Sequence, residues 1–280
     1  MCLFDYYNLN RGTVYCVMLD ASKAFDRVQY CRLFRKLISR KLPAVIIRFL
    51  LNMYTHHRTH VLWNGRVSRW FNLSNGVKQG GVLVSPILFY VYIDGLLISL
   101  CRAGLGCHIG DMFVGALACA DDLVLSAPTP HAMRLMLQFC EEYAKDHDVL
   151  FNADKSKCII SCPRGVASIG NLNHDICFSR TISGNVTENA ESWPHLDHVI
   201  TSNASDNLDV LSRRGSFIGQ VNNVICWFSK LDCCMKTRLL QASCFSFYGC
   251  ELWDLSNLHV QSSCVAWRQA LHETYLETAM

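Results

Sequence analysis

Apolar and polar positions follow one another in blocks that change period along the chain, predicting strands and helices in mixed order. "TVYCVMLDAS" is rich in β-branched and apolar residues and ends near Asp20, which predicts a buried strand carrying a carboxylate at its C-terminal end. "KAFDRVQYCRLFRKLISRK" then takes helical spacing, with Phe25, Val28, Leu33 and Leu37 apolar and basic residues between them. Pro43 interrupts, and "PAVIIRFLLNMYTH" predicts a second helix. "THVLWNGRVSRWFNLSNG" predicts a hairpin about Asn64-Gly65, a pair suited to a tight turn. The glycine-rich "SNGVKQGGVLVSP" leads into an apolar helix from Pro86 to about Leu100.

"GALACADDLVLSA" sets Asp121 and Asp122 between apolar flanks, which predicts a strand–turn–strand hairpin with both carboxylates at its tip. "TPHAMRLMLQFCEEYAKDHD" predicts an amphipathic helix capped by Thr129, with Met133, Met136, Leu137, Cys140 and Tyr143 as its apolar stripe. "VLFNADKSKCIISC" predicts a short strand, a turn holding Lys155, and another strand. Residues from about Pro163 to Asp206 are polar and irregular, as in a connector. Two helices are expected after it, "NLDVLSRRGSFIGQVNNVICWFSKLD" and "CMKTRLLQASCFSFYGCELWDL", bearing Arg213, Arg214, Lys230, Lys236 and Arg238. The expected division is 1–162, a connector over 163–204, and a helical part over 205–280.

Composition narrows the class. With 51% hydrophobic and 18% charged residues among 280, the chain buries a sizeable core and is not disordered. A net charge of +3 permits a nucleic-acid partner without requiring one. Sixteen cysteines include no CxxC pair, and no secretory signal opens the chain. They read as reduced core residues of an intracellular, unsecreted protein. Cys158, Cys162, His174 and Cys177 match no zinc spacing. The sequons at Asn72, Asn185 and Asn203 carry no weight without a secretory route. "PILFYVYIDGLLISL" is too short for a membrane span and holds Asp94, so a buried helix and no membrane partner are expected.

Buried like charges are costly, so Asp121 and Asp122 need a counter-charge. If the strand ending at Asp20 lies beside them, three carboxylates converge. Such hard oxygen donors suit Mg²⁺, and paired metals serve phosphoryl transfer. The bland alternative is a polar hairpin tip in a structural protein, which places Asp20 far from Asp121.

"LDASKAFDRV", "SNGVKQGGVLVSPILF" and "ACADDLVL", in that order and spacing, resemble motifs A, B and C of the reverse transcriptases of non-LTR (LINE-like) retrotransposons. "FNADKSKC" resembles motif D, and "WPHLDHVI" the primer grip. The resemblance covers roughly residues 1 to 205, with a thumb-like tail beyond. It implies an α+β polymerase palm: an antiparallel sheet with helices packed on one face, then an α-helical thumb-like region. It also implies RNA-directed DNA polymerisation, with two Mg²⁺ ions (or Mn²⁺), an RNA template, a DNA primer and dNTP.

Position by position, Asp20, Asp121 and Asp122 match the metal-binding aspartates. Phe25 matches the aromatic gate against a 2′-hydroxyl; by pattern alone it also reads as a helix core residue. Gln79 and Gly80 match the motif B pair beside the incoming nucleotide, where an ordinary loop is the alternative. Lys155 matches the motif D lysine that protonates pyrophosphate, or is a solvated turn lysine. Arg213, Arg214, Lys236 and Arg238 would meet the template–primer backbone, or form a solvated helix face.

The chain departs from the family pattern in four ways. Nineteen residues precede Asp20, so the upstream fingers are expected to be missing and polymerisation impaired. A catalytically dead nucleic-acid-binding remnant is the alternative. Val84 looks inserted in motif B, Cys119 replaces a tyrosine before Ala-Asp-Asp, and Asp197 replaces a glycine in the primer grip.

Overall fold

A computed structural model describes residues 3–78, 84–163, 188–244 and 247–276. The chain divides into two compact units, Met1–Ala190 and Glu191–Met280.

The first unit opens with helix α1 (Leu3–Leu9) and strand β1 (Val14–Ala21). Every residue of β1 but Asp20 is buried, as its unbroken apolar run requires of a central strand. Helix α2 (Tyr30–Ser39) starts later than helical spacing suggested. Residues 22–27 form turns instead, with Lys23 in the left-handed region (φ 50°). The Phe25 carbonyl is drawn off to accept from the Val77 amide, at 2.8 Å. Helix α3 (Ala44–Thr55) follows Pro43 as expected. Four two-residue strands come next: β2 (Arg58–Thr59), β3 (Leu62–Trp63), β4 (Arg66–Val67) and β5 (Phe71–Asn72). β2 pairs with β5 and β3 with β4, about the expected turn at Asn64 (φ 47°) and Gly65 (φ 74°).

Helix α4 (Val84–Ala103) spans 20 residues, longer than expected. By length and apolar composition it could cross a membrane. Here Leu88, Phe89, Tyr92, Ile93, Leu96 and Leu100 form a helically spaced face buried in the core. Full burial of each such side chain contributes about 2 kcal/mol. A small hairpin, β6 (His108–Ile109) and β7 (Met112–Phe113), precedes the longer one of β8 (Ala116–Cys119) and β9 (Asp122–Ala127). Helix α5 (Pro130–His147) is capped as expected: Thr129 Oγ1 accepts from the Ala132 amide at 3.1 Å, and Met133, Met136, Leu137 and Cys140 are buried. β10 (Phe151–Ser161) and β11 (Glu188–Asn189) complete a five-stranded sheet of order β11-β10-β1-β9-β8. All its pairings are antiparallel except β10–β11. Tyr15, Val17 and Leu19 on one side of β1 join the cluster built by α2, α4 and α5.

In the second unit, β12 (Ser192–His195) and β13 (His198–Thr201) form a hairpin, followed by α6 (Asn207–Trp227), α7 (Cys233–Ser243) and α8 (Leu258–Leu276). The expected second helix of the tail therefore stops at Ser243. Its end is followed by Gly249 in the left-handed region (φ 81°), a short 3₁₀ turn, and a third helix that the sequence reading missed. Asp209 is buried at the hairpin's edge. It accepts from Trp253 Nε1 at 2.7 Å, the Val199 amide at 3.0 Å and Arg213 Nε at 3.2 Å.

Candidate active site

β1 runs between β9 and β10 because its apolar residues are buried on both faces. Its register against β9 pairs Asp20 directly with Asp122. The Cβ atoms of such partners stand about 5 Å apart, and like charges there repel. Asp121 sits in the two-residue turn between β8 and β9, closed by the Cys119–Asp122 pair. Its carbonyl accepts from the Ala21 amide at 3.4 Å. The three carboxyl residues are thus gathered at one end of the sheet, each half-buried. The reading as a fortuitous acidic tip required Asp20 to be far away.

The turn is shaped for this placement at a cost. Ala120 has φ 54°, a conformation that favours glycine. Its amide donates to Tyr90 Oη of α4 at 3.3 Å, so the core helix holds the turn. Strain of this kind concentrates at functional sites. Cys119 beside it is exposed and free.

On the other side of β1 the ladder breaks. Lys157 pairs with Met18 and Asn152 with Asp20, so four residues of β10 stand opposite Leu19 alone. This bulge replaces the strand–turn–strand expected around Lys155. Asn152 Oδ1 accepts from the amides of Asp154 (3.1 Å) and Lys155 (3.4 Å). The fully buried Ser156 donates through Oγ to the Asn152 carbonyl at 2.6 Å and accepts from the Asp20 amide at 3.3 Å. Ser156 therefore sets the backbone at Asp20 while the bulge leaves Lys155 exposed. Nothing in an Asn…Ser spacing marks this bridge in the sequence; only the register against β1 shows it.

Phe25 is half-buried and lies against Phe89 of α4, with ring centroids 5.1 Å apart. The loop before α4 is tied to it. The Gly76 amide donates to the Val28 carbonyl at 2.9 Å, and Gly76 (φ 91°) leaves no room for a Cβ, which would stand 2.9 Å from the Asp26 carbonyl oxygen. Gln79 and Gly80 lie outside the described residues. Val84 is the first residue of α4, so the residue read as an insertion enters at the helix start.

The basic residues of the tail separate. Arg213 is turned inward, bound to Asp209 and to the Asp197 carbonyl, which corrects its reading as a phosphate contact. Lys236 is buried, a second correction: α7 packs that face inward. Arg214 is half-buried with Nε lacking a hydrogen-bond partner among the described residues, and Arg238 is exposed. Asp197 has φ 60° and Leu196 φ 48°, as a tight turn demands, and Arg213 holds the Asp197 carbonyl in place.

His174 and Cys177 lie outside the described residues. Burial pushes the Cys158 thiol up to about 12, which suits an inert core residue. Among the described residues, no three or more His, Cys, Asp or Glu side chains form a ready-made metal cage. The fit of a divalent ion rests instead on the opposed carboxylates. Mg²⁺ takes few protein oxygens and completes its shell with water and phosphate.

The family model described as reverse transcriptase (RNA-dependent DNA polymerase) matches residues 3–233. The chain belongs to that family. Its likeness is to the non-LTR branch. It is 34% identical over 141 residues to the Retrovirus-related Pol polyprotein from type-2 retrotransposable element R2DM of Drosophila melanogaster, covering 50% of this chain and 13% of that protein. It is 30% identical over 152 residues to the Retrovirus-related Pol polyprotein from type-1 retrotransposable element R2 of Nasonia vitripennis, covering 54% of this chain and 15% of that protein. The chain thus spans about a seventh of the length of these relatives. Among solved structures, a telomerase from Candida tropicalis in complex with a fragment of telomeric RNA aligns over 71% of this chain and 30% of its own, at 12% identity and a TM-score of 0.49. This reverse transcriptase domain has the mixed α+β, polymerase-like fold that the motifs implied.

Proposed function

We propose that this domain carries the nucleotidyl-transfer centre of an RNA-directed DNA polymerase, with RNA as template, a DNA primer, and dNTP as substrate. The observation that carries the reading is the register of β1 on β9, which pairs Asp20 with Asp122 and ties the Asp121 carbonyl to the next amide of β1. Opposed carboxylates repel unless a cation lies between them. Asp20, Asp121 and Asp122 would hold Mg²⁺, or Mn²⁺ in its place.

Bound there, the ions supply Lewis-acid activation and neutralise charge on the phosphates. The primer 3′-hydroxyl gives up its proton to solvent as its oxygen attacks the α-phosphorus of the dNTP, and the bond from that phosphorus to the pyrophosphate oxygen breaks. Lys155, exposed on the β10 bulge, offers its proton to the departing pyrophosphate. Phe25, braced by Phe89, excludes a 2′-hydroxyl by contact rather than by attraction. Gln79 and Gly80 would meet the incoming nucleotide. Ser156 acts at one remove, as the residue that positions Asp20. Its site of action would be inside the cell, where a chain with sixteen cysteines and no CxxC pair keeps them reduced.

Primer extension on an RNA template, with the full chain and Mg²⁺ or Mn²⁺, tests this. Incorporation that vanishes in Asp20→Asn and Asp121→Asn supports it. A wild-type chain that binds template–primer yet adds no nucleotide overturns it in favour of the binding remnant.

A further inference from the structure

The described chain holds a second feature that the reaction above does not use. Between Asp26 and Asp94 there are eleven Lys and Arg residues and no Asp or Glu, although the whole chain carries only +3. The remainder is therefore net acidic, and positive charge is concentrated in this one stretch. Part of it is already neutralised, since Arg27, Arg32 and Arg40 pair with Asp148, Asp146 and Asp94. Lys36 is turned inward, donating to the Tyr92 carbonyl and Tyr143 Oη. The remaining seven are exposed with no acidic partner among the described residues. Three of them, Arg58, Arg66 and Arg69, lie together on one hairpin that also carries two tryptophans.

They sit on the hairpin built by β2 to β5, whose strands, among the described residues, pair only with one another. Every residue from Val61 to Asn72 is exposed. Trp63 is 76% and Trp70 62% exposed, beside Phe71. Large rings held out on a hairpin mark a contact surface. Trp63 pairs directly with Arg66 across the tight turn, so an indole and a guanidinium share one face. An apolar protein partner would cover the rings but strand three uncompensated cations. A single-stranded polynucleotide meets both demands, with phosphates on the arginines and bases on the rings.

We infer that the β2–β5 hairpin is a single-stranded RNA-binding platform in which Arg58, Arg66 and Arg69 hold phosphates and Trp63 and Trp70 stack bases. The choice of RNA over DNA rests on the polymerase reading; the binding surface itself does not. The site lies apart from the carboxylates in chemistry, so its test needs neither metal nor dNTP.

Fluorescence anisotropy with labelled oligouridylate and oligothymidylate, in EDTA and over a series of salt concentrations, measures it on the full chain. Trp63→Ala and Trp70→Ala each weaken oligouridylate binding about tenfold, in line with the loss of one stacked base. Arg58→Gln, Arg66→Gln and Arg69→Gln together lower the slope of log K against log salt by about 2. Urea midpoints matching wild type show that the variants fold. Unchanged oligouridylate affinity and salt slope in the folded variants overturn the inference. So does a loss of self-association, seen by sedimentation, with RNA binding intact, which would mark a protein-docking face. Hairpin-dependent binding that favours oligothymidylate overturns the assignment to RNA. Because no catalysis is read, failure here is separate from failure of the polymerase assay.

Discussion

Among the hairpins that close through two-residue turns, three are held in different ways. At Asn64-Gly65 both residues take positive φ readily, and the turn needs nothing from the rest of the molecule. At Ala120-Asp121 and Leu196-Asp197, side chains sit where glycine is favoured, with φ of 54° at Ala120 and 48° at Leu196. Those turns are held from outside, by Tyr90 Oη and the Ala21 amide in one case and by Arg213 in the other. The self-sufficient turn carries an exposed surface. The other two carry the carboxylate pair and the primer-grip-like hairpin. Where a backbone must present particular groups, local preference gives way and tertiary contacts supply the difference.

The largest expected effect falls on the chemistry of the externally held turn. Asp20→Asn and Asp121→Asn each cut dNTP incorporation about a thousandfold or more, in keeping with the several kcal/mol that metal-held carboxylates contribute. Thermal midpoints should not fall, because repulsion across β1 and β9 is relieved. A fall in midpoint with activity intact would break the assignment of a site. Next, Asp209→Ala leaves the indole N–H of Trp253 and the guanidinium of Arg213 without their acceptor. It is expected to cost about 3 kcal/mol in urea unfolding and to speed amide exchange at Val199.

Ser156→Ala removes the hydroxyl that bridges Asp20 and Asn152 and should cost about 1–2 kcal/mol. As a positioning effect it should lower kcat more than it raises KM, whereas Ser156→Thr, which keeps the hydroxyl, restores part of the rate. A purely structural role would leave kcat in place at temperatures where the variant is folded. The smallest pair of effects addresses the turns themselves. Ala120→Gly should stabilise the protein by up to about 1 kcal/mol through relief of the positive φ. Gly65→Ala should destabilise by a similar amount, with proteolytic nicking confined to the β3–β4 tip. Equal and opposite midpoint shifts would sharpen the contrast; a destabilising Ala120→Gly would break it.

Much of this was legible beforehand for local reasons. The strand ending near Asp20, the Asn64-Gly65 turn, the Thr129 cap and the Asp121-Asp122 tip are each written in a few adjacent residues. The helix expected from Lys23 was not realised before Tyr30, because the Phe25 carbonyl is bound by a loop some fifty residues away. The second helix of the tail was drawn too long because apolar residues continue past Ser243 and Gly249, and the third, Leu258–Leu276, was missed because it has little amphipathic pattern to mark it. Arg213 and Lys236 read as surface cations because charge alone does not say which side of a helix faces inward.

The sequence by itself determined the alphabet of the candidate site: three aspartates, a lysine, the aromatic ring of Phe25 and the order of the motifs. Periodicity and turn chemistry are short-range, so they act within a few residues and survive in any context. Only the tertiary structure decided that Asp20 stands opposite Asp122, that Ser156 carries the bulge beside it, and that Arg213 braces a turn instead of meeting phosphate. Those facts depend on register between segments a hundred or more residues apart, or on which face of a helix is buried. Both are set by packing the whole core at once, and no short window of sequence contains that information.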